Sequence, residues 1–126
     1  MDSQPARVLI VDDDAATRQL FAANLQAEGL VVLEASDGRH GLERARLEQP
    51  DLVVTDVRMP VLDGFQLAAE LRRDKRTRKI PLIFSSGETT ADDEARALRL
   101  GAIAYLAKPL DPAVLAALVT GALGRA

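Results

Sequence analysis

Apolar residues fall along this chain in short blocks that alternate between two periods. Arg7 to Asp12 encloses a four-residue apolar run, and Leu30 to Ala35, Leu52 to Thr55, Leu82 to Ser85 and Ala102 to Ala107 are similar runs, rich in aliphatic and β-branched residues. Runs of this length predict strands covered on both faces. Between them the spacing becomes helical. Leu20, Phe21 and Leu25 would share one side of a helix from Ala15 to Glu28, and Leu42 and Ala45 would face inward from a helix running from Gly38 to about Glu48. Gly64, Leu67, Ala68 and Leu71 predict a third helix ending near Arg73. The punctuation agrees: Gly29 and Gly101 are placed as left-handed caps, and Pro50 stops the second helix. Thr89 and Thr90 cap a fourth helix with Asp92 and Asp93 in its first turn, and Asp111 caps a fifth with Pro112 at its first position.

Five strands alternating with five helices predict an α/β fold, a single doubly wound five-stranded parallel sheet of (βα)5 type with right-handed crossovers. Ligands in such folds bind beyond the carboxyl ends of the strands. The polar residues at those ends are Asp12 and Asp13 after the first strand, Asp56 after the third, Ser85 and Ser86 after the fourth, and Lys108 after the fifth. None follows the second strand, which fits a place at the sheet edge.

Composition narrows the possibilities without naming a function. A length of 126 residues suits one domain, with a core at about 7–123 and a short tail at 1–6, and the balance of 48% hydrophobic to 28% charged residues is that of a globular chain. The net charge of -3 argues against nonspecific nucleic-acid binding. The basic stretch from Arg72 to Lys79 has no aromatic residue for base stacking and reads as a solvated loop. With no cysteine, disulfides, thiolate metal sites and a cysteine nucleophile are excluded. No run approaches the roughly 20 apolar residues of a membrane span, and Met1 to Ala6 lacks a signal-peptide pattern, so a cytoplasmic location is expected. His40, the only histidine, belongs to a helix surface.

The strand-end residues form a coherent chemical set. A carboxylate at Asp56, next to a core, is costly unless a cation or donors meet it. Asp12 and Asp13 would converge on it, and a hard divalent cation such as Mg²⁺ relieves three carboxylates at one spot. Asp56 then remains ionised and acts as a nucleophile toward phosphorus. The Lys108 ammonium would neutralise phosphoryl oxygens, and the Ser86 hydroxyl would donate to another.

In this set the sequence resembles the receiver domain of two-component response regulators, the CheY-like group, over nearly its whole length. The motifs come in order: Val11-Asp12-Asp13, Asp56 with Met59-Pro60 and Asp63-Gly64, Ser86 before Gly87-Glu88, and Tyr105 to Lys108-Pro109. The resemblance implies the strand order 2-1-3-4-5. It implies phosphorylation of Asp56 by a phosphohistidine on a sensor histidine kinase or a phosphotransfer protein. Mg²⁺ would be held by Asp13, Asp56 and the backbone carbonyl of Arg58, with Asp12 acting largely through water, and Lys108-Pro109 would be a cis peptide. Ser86 and Tyr105 would be the switch pair. The helix 4, strand 5, helix 5 face would then control a downstream effector or a homodimer.

Two features depart from the commonest form of that pattern. Arg58 and Glu88 carry long charged side chains at the rim, and an Arg58–Glu88 pair is expected to shield the acyl phosphate. Ala113 to Leu123 contains no charged residue, so the last helix is expected to find a second apolar partner. Two other function classes stand beside the switch. One is a haloacid-dehalogenase-type phosphatase with Asp12 as nucleophile and Asp14 as acid; the other is an interaction module that works without phosphorylation. Asp14 also reads as a simple helix cap.

Overall fold

The computed structural model describes residues 4–124. The elements in order are β1 (Arg7–Val11), α1 (Ala15–Ala27), β2 (Val31–Ala35), α2 (Gly38–Glu48), β3 (Leu52–Asp56), α3 (Gly64–Arg73), β4 (Leu82–Ser86), α4 (Ala91–Arg99), β5 (Ala102–Ala107) and α5 (Pro112–Ala122). The strands pair in parallel in the order β2-β1-β3-β4-β5. β3 and β4 are buried at every position, their apolar starts as central strands require and their polar ends, Thr55-Asp56 and Ser85-Ser86, as well.

Alternation along the strands divides the core in two. Val8, Ile10, Leu52, Val54 and Ile83 face Phe21 and Leu25 of α1 and Leu115 and Val119 of α5. Leu9, Val11, Val53, Leu82 and Phe84 face Leu42 of α2, Phe65 and Leu71 of α3, and Ala97 of α4. Each fully buried side chain of this size contributes about 1.5–3 kcal/mol. On the second face the rings of Phe65 and Phe84 stand 5.2 Å apart, and Phe84 and Tyr105 6.3 Å apart, so a line of aromatic contact runs from α3 to β5.

Three expectations are corrected. Leu20 is exposed, because the inward stripe of α1 is Phe21, Ala22 and Leu25. Of the expected tail, residues 1–3 lie outside the described residues, and Ala6 is not tail at all but packs in the α1/α5 core. The basic α3–β4 segment is only partly a solvated loop. Arg72 donates to the carbonyls of Leu100, Arg78 and Ile80, and the buried Thr77 hydroxyl donates to the Leu71 carbonyl, so the segment is tied to its own backbone and to the end of α4.

The last helix buries Leu115, Ala116 and Val119, and its outer side is made of small residues and Val114. Val114 is 54% exposed, with Leu98 of α4 at 71% and Ile103 of β5 at 49%. Among the described residues no helix is long and apolar enough to cross a membrane.

Candidate functional site

Four of the five strands, all but the edge strand β2, end by delivering a polar group to one edge of the sheet. β1 leads into Asp12, whose backbone N–H bonds the Ala35 carbonyl of β2, while its Oδ1 accepts from the Asp14 N–H at 2.9 Å. The first acidic residue is thereby fixed within its own turn. Arg18 of α1 donates to the Asp12 carbonyl and pairs with Glu34 of β2, bracing that turn from outside. Asp14 caps α1, its carboxylate accepting from the Ala16 N–H and the Thr17 hydroxyl. The Thr17 hydrogen bond holds the Asp14 carboxyl below its ordinary pKa.

Asp56 closes β3 at 8% exposure. The following loop returns at once to a helix start. Asp63 and Gln66 form a reciprocal capping box at the head of α3, and the Gly64 N–H bonds the Val57 carbonyl. Gly64 abuts the Asp56 backbone so closely that a Cβ would collide with the Asp56 carbonyl, and one at Gly38 would collide with that of Leu62. Both glycines are thus required by close approach. Val61, in the same loop, has a φ of 72°, a left-handed value that a β-branched residue adopts only under strain.

Lys108 crosses from the end of β5 to meet the acids. Its Nζ lies 3.0 Å from Asp12 Oδ2 and 3.2 Å from Asp56 Oδ2. The Lys108–Pro109 bond is cis. Asp12, Asp13 and Asp56 each offer a carboxylate oxygen within 4.8 Å of the others. Burial pushes the Asp56 carboxyl above its ordinary pKa; the Asp12 charge adds to this and Lys108 opposes it. For Lys108, desolvation works to lower the pKa, but its hydrogen bond to Asp12 and the charge of Asp56 outweigh it and the net shift is upward. The site therefore holds an excess of carboxylate over cation. All-oxygen donors of this charge suit a hard divalent ion, and Mg²⁺ fits the set.

Ser86 and Tyr105 meet at a single acceptor. The Ser86 hydroxyl donates to the Glu88 carbonyl at 2.7 Å, and the Tyr105 hydroxyl donates to the same oxygen at 3.1 Å. Glu88 thus enters the site through its main chain. The expected Arg58–Glu88 pair is not formed. Arg58 instead reaches Asp93 in the first turn of α4 at 3.1 Å, because the docking of α4 brings that carboxylate beside the β3–α3 loop. Sequence reasoning placed Ser85 at the strand end but gave it no role apart from Ser86; its buried hydroxyl has no hydrogen-bond partner. Strand alternation was the available signal, since it turns Ser85 and Ser86 to opposite faces.

Residues 8–120 match the family described as response regulator receiver domain. The chain belongs to that family. Among its receiver-domain relatives, the DNA-binding dual master transcriptional regulator RpaA of Synechocystis sp. is 39% identical over 119 residues, covering 94% of this chain and 49% of RpaA. Protein PilH of Pseudomonas aeruginosa is 41% identical over 106 residues, covering 84% of this chain and 88% of PilH. The chain thus spans about half the length of RpaA, and likewise about half of the regulator PhoP of Bacillus subtilis. Among solved structures, the receiver fold superposes on Vibrio cholerae chemotaxis protein CheY4 with a TM-score of 0.87 at 31% identity, covering 94% of this chain and 98% of that one.

Proposed function

We propose that the chain is a phosphoacceptor switch of a two-component phosphorelay, with Asp56 as the acceptor. The observation that carries this reading is the contact of Lys108 Nζ with Asp56 Oδ2 at 3.2 Å, beside Asp12 and Asp13 at metal-ligating distance. Family membership over residues 8–120 supports it.

In this reading an Asp56 oxygen attacks phosphorus, the phosphorus–nitrogen bond of a donor phosphohistidine breaks, and the donor imidazole recovers the electron pair. Lys108 leaves its pairing with Asp56 and holds a phosphoryl oxygen, while Ser86 turns from Glu88 to donate to another. Asp13, Asp56 and the Arg58 carbonyl would hold the metal, with Asp12 acting through water, and Mg²⁺ bound there would offset the negative charge of the site. The chain catalyses only its own phosphorylation and dephosphorylation. Arg58 and Glu88 modulate the rim, Arg58 through Asp93.

The donor is a sensor histidine kinase or phosphotransfer protein, and the setting is cytoplasmic. Exposed Leu98, Ile103 and Val114 on α4, β5 and α5 offer a downstream effector or a second copy an apolar surface, so the uncharged last helix gains its second partner there. A phosphatase with Asp12 as nucleophile is disfavoured, since Asp14, its acid, is occupied as the cap of α1. The test is intact mass after incubation with acetyl phosphate and Mg²⁺. Gain of one phosphoryl group by wild type and none by Asp56→Asn supports the switch; no gain by wild type supports a module that works without phosphorylation.

A further inference from the structure

Among the described residues, Ser85 Oγ is the buried side-chain polar atom left without a hydrogen-bond partner, and the residue is 2% exposed. Native proteins keep few such groups, and those they keep call for a reason.

The sheet supplies one. Ile83 packs in the α1/α5 half of the core and Phe84 in the other, so alternation returns Ser85 to the α1/α5 side, where Val54, and two residues later Asp56, also point. The register sets Asp56 opposite Ser85, and Ser85 opposite Leu106. Lys108 lies two residues beyond Leu106 on the same side and reaches Asp56 and Asp12. β4 stands between β5 and β3, so the lysine must cross β4 to do this, and Ser85 is the β4 side chain in the row of Asp56. An ammonium has three N–H donors. Asp12 and Asp56 account for two of them.

We propose that Ser85 is a positioning residue for Lys108, its hydroxyl accepting the third ammonium N–H, directly after rotation about Cα–Cβ or through one water. The adjacent serines then divide the work: Ser86 faces the Glu88 carbonyl and belongs to the switch, while Ser85 steadies the lysine that receives the phosphoryl group. Loss of the Ser85 contact leaves the ammonium free to swing along the carboxylates and slows productive encounters with a donor. This inference rests on Asp56 as phosphoacceptor.

The test compares wild type, Ser85→Ala and Ser85→Thr as full chains in two readouts. One is the initial rate of phosphorylation by acetyl phosphate with Mg²⁺; the other is the ¹⁵N–¹H resonance of Lys108 Nζ without phosphodonor. Thermal denaturation establishes that each variant is folded. Ser85→Ala is expected to slow phosphorylation by about three- to tenfold, the effect of one hydrogen bond, and to shift the Nζ resonance. Ser85→Thr, which restores the hydroxyl, is expected to recover both. An unshifted resonance in Ser85→Ala overturns the proposal whatever the rate, and so does a rate within about twofold of wild type, since one hydrogen bond is worth more than that. If wild type itself accepts no phosphoryl group, the phosphoacceptor reading fails separately. The resonance alone then decides whether Ser85 holds Lys108.

Discussion

Ser86 and Tyr105 are joined through one atom: both hydroxyls donate to the carbonyl oxygen of Glu88, at 2.7 and 3.1 Å. A Ser86 hydroxyl drawn from that oxygen toward a phosphoryl group at Asp56 removes the bond that fixes the Glu88 carbonyl to the end of β4. Tyr105 then loses the fixed position of its own acceptor. A few kcal/mol of preference for the displaced state is enough to reverse a two-state population.

Tyr105 is the only tyrosine, and the chain has no tryptophan, so intrinsic fluorescence reports on this ring alone. Beryllofluoride with Mg²⁺ is expected to change the tyrosine emission of wild type. Ser86→Ala, which lacks the hydroxyl that couples site to ring, is expected to lose at least half of that change.

The ion pair between Arg58 and Asp93 ties the loop after Asp56 to the first turn of α4. Arg58 is exposed, and pairs of this kind contribute about 0–1 kcal/mol. Arg58→Ala and Asp93→Asn are therefore expected to shorten the dephosphorylation half-life by no more than about fivefold each, and by equal factors. The double variant should be no worse than either single one, because both remove the same contact. Glu88→Ala should leave the half-life nearly unchanged, since Glu88 acts through its carbonyl.

Val61 carries a φ of 72° and its side chain is largely exposed. Relief of the left-handed strain outweighs the little burial lost, and asparagine tolerates that conformation without the added chain entropy of glycine. Val61→Asn is expected to raise stability by about 0.5–1 kcal/mol in urea denaturation.

Asp74 accepts from the Arg76 backbone and guanidinium and from Arg46 of α2. The Arg76 side chain, foremost, holds its carboxyl well below the ordinary value of 3.8. A carboxyl with a depressed folded pKa contributes stability that is complete above its unfolded value and is lost as the pH falls toward the folded one. Urea denaturation should therefore find the difference between wild type and Asp74→Asn steady from neutral pH down to about 5, then shrinking below about 4.

The layout of the sheet and the polar residues at its edge were legible because each strand is an apolar run whose last residues change character. Asp12, Asp56, Ser86 and Lys108 could be placed at one end by counting alone. Partners set by side-chain reach could not: Arg58 chooses Asp93 over Glu88 only once α4 is docked. Leu20 satisfied the helical spacing but lies just outside the stripe that Phe21, Ala22 and Leu25 bury. Arg72 sits in a run of cations that reads as solvated, yet it is spent on the carbonyls of Arg78 and Ile80 in the following loop and of Leu100 at the end of α4. No local pattern distinguishes it from its neighbours.

The central claim is that Asp56, and no other carboxylate of the cluster, becomes covalently phosphorylated. Borohydride reduces an acyl phosphate to an alcohol, so an aspartyl phosphate is recorded as homoserine in a peptide map. After acetyl phosphate and Mg²⁺, homoserine is predicted at position 56, dependent on the metal and absent when chelator is added first. Homoserine at position 12, or none at 56 under any of these conditions, would contradict the account.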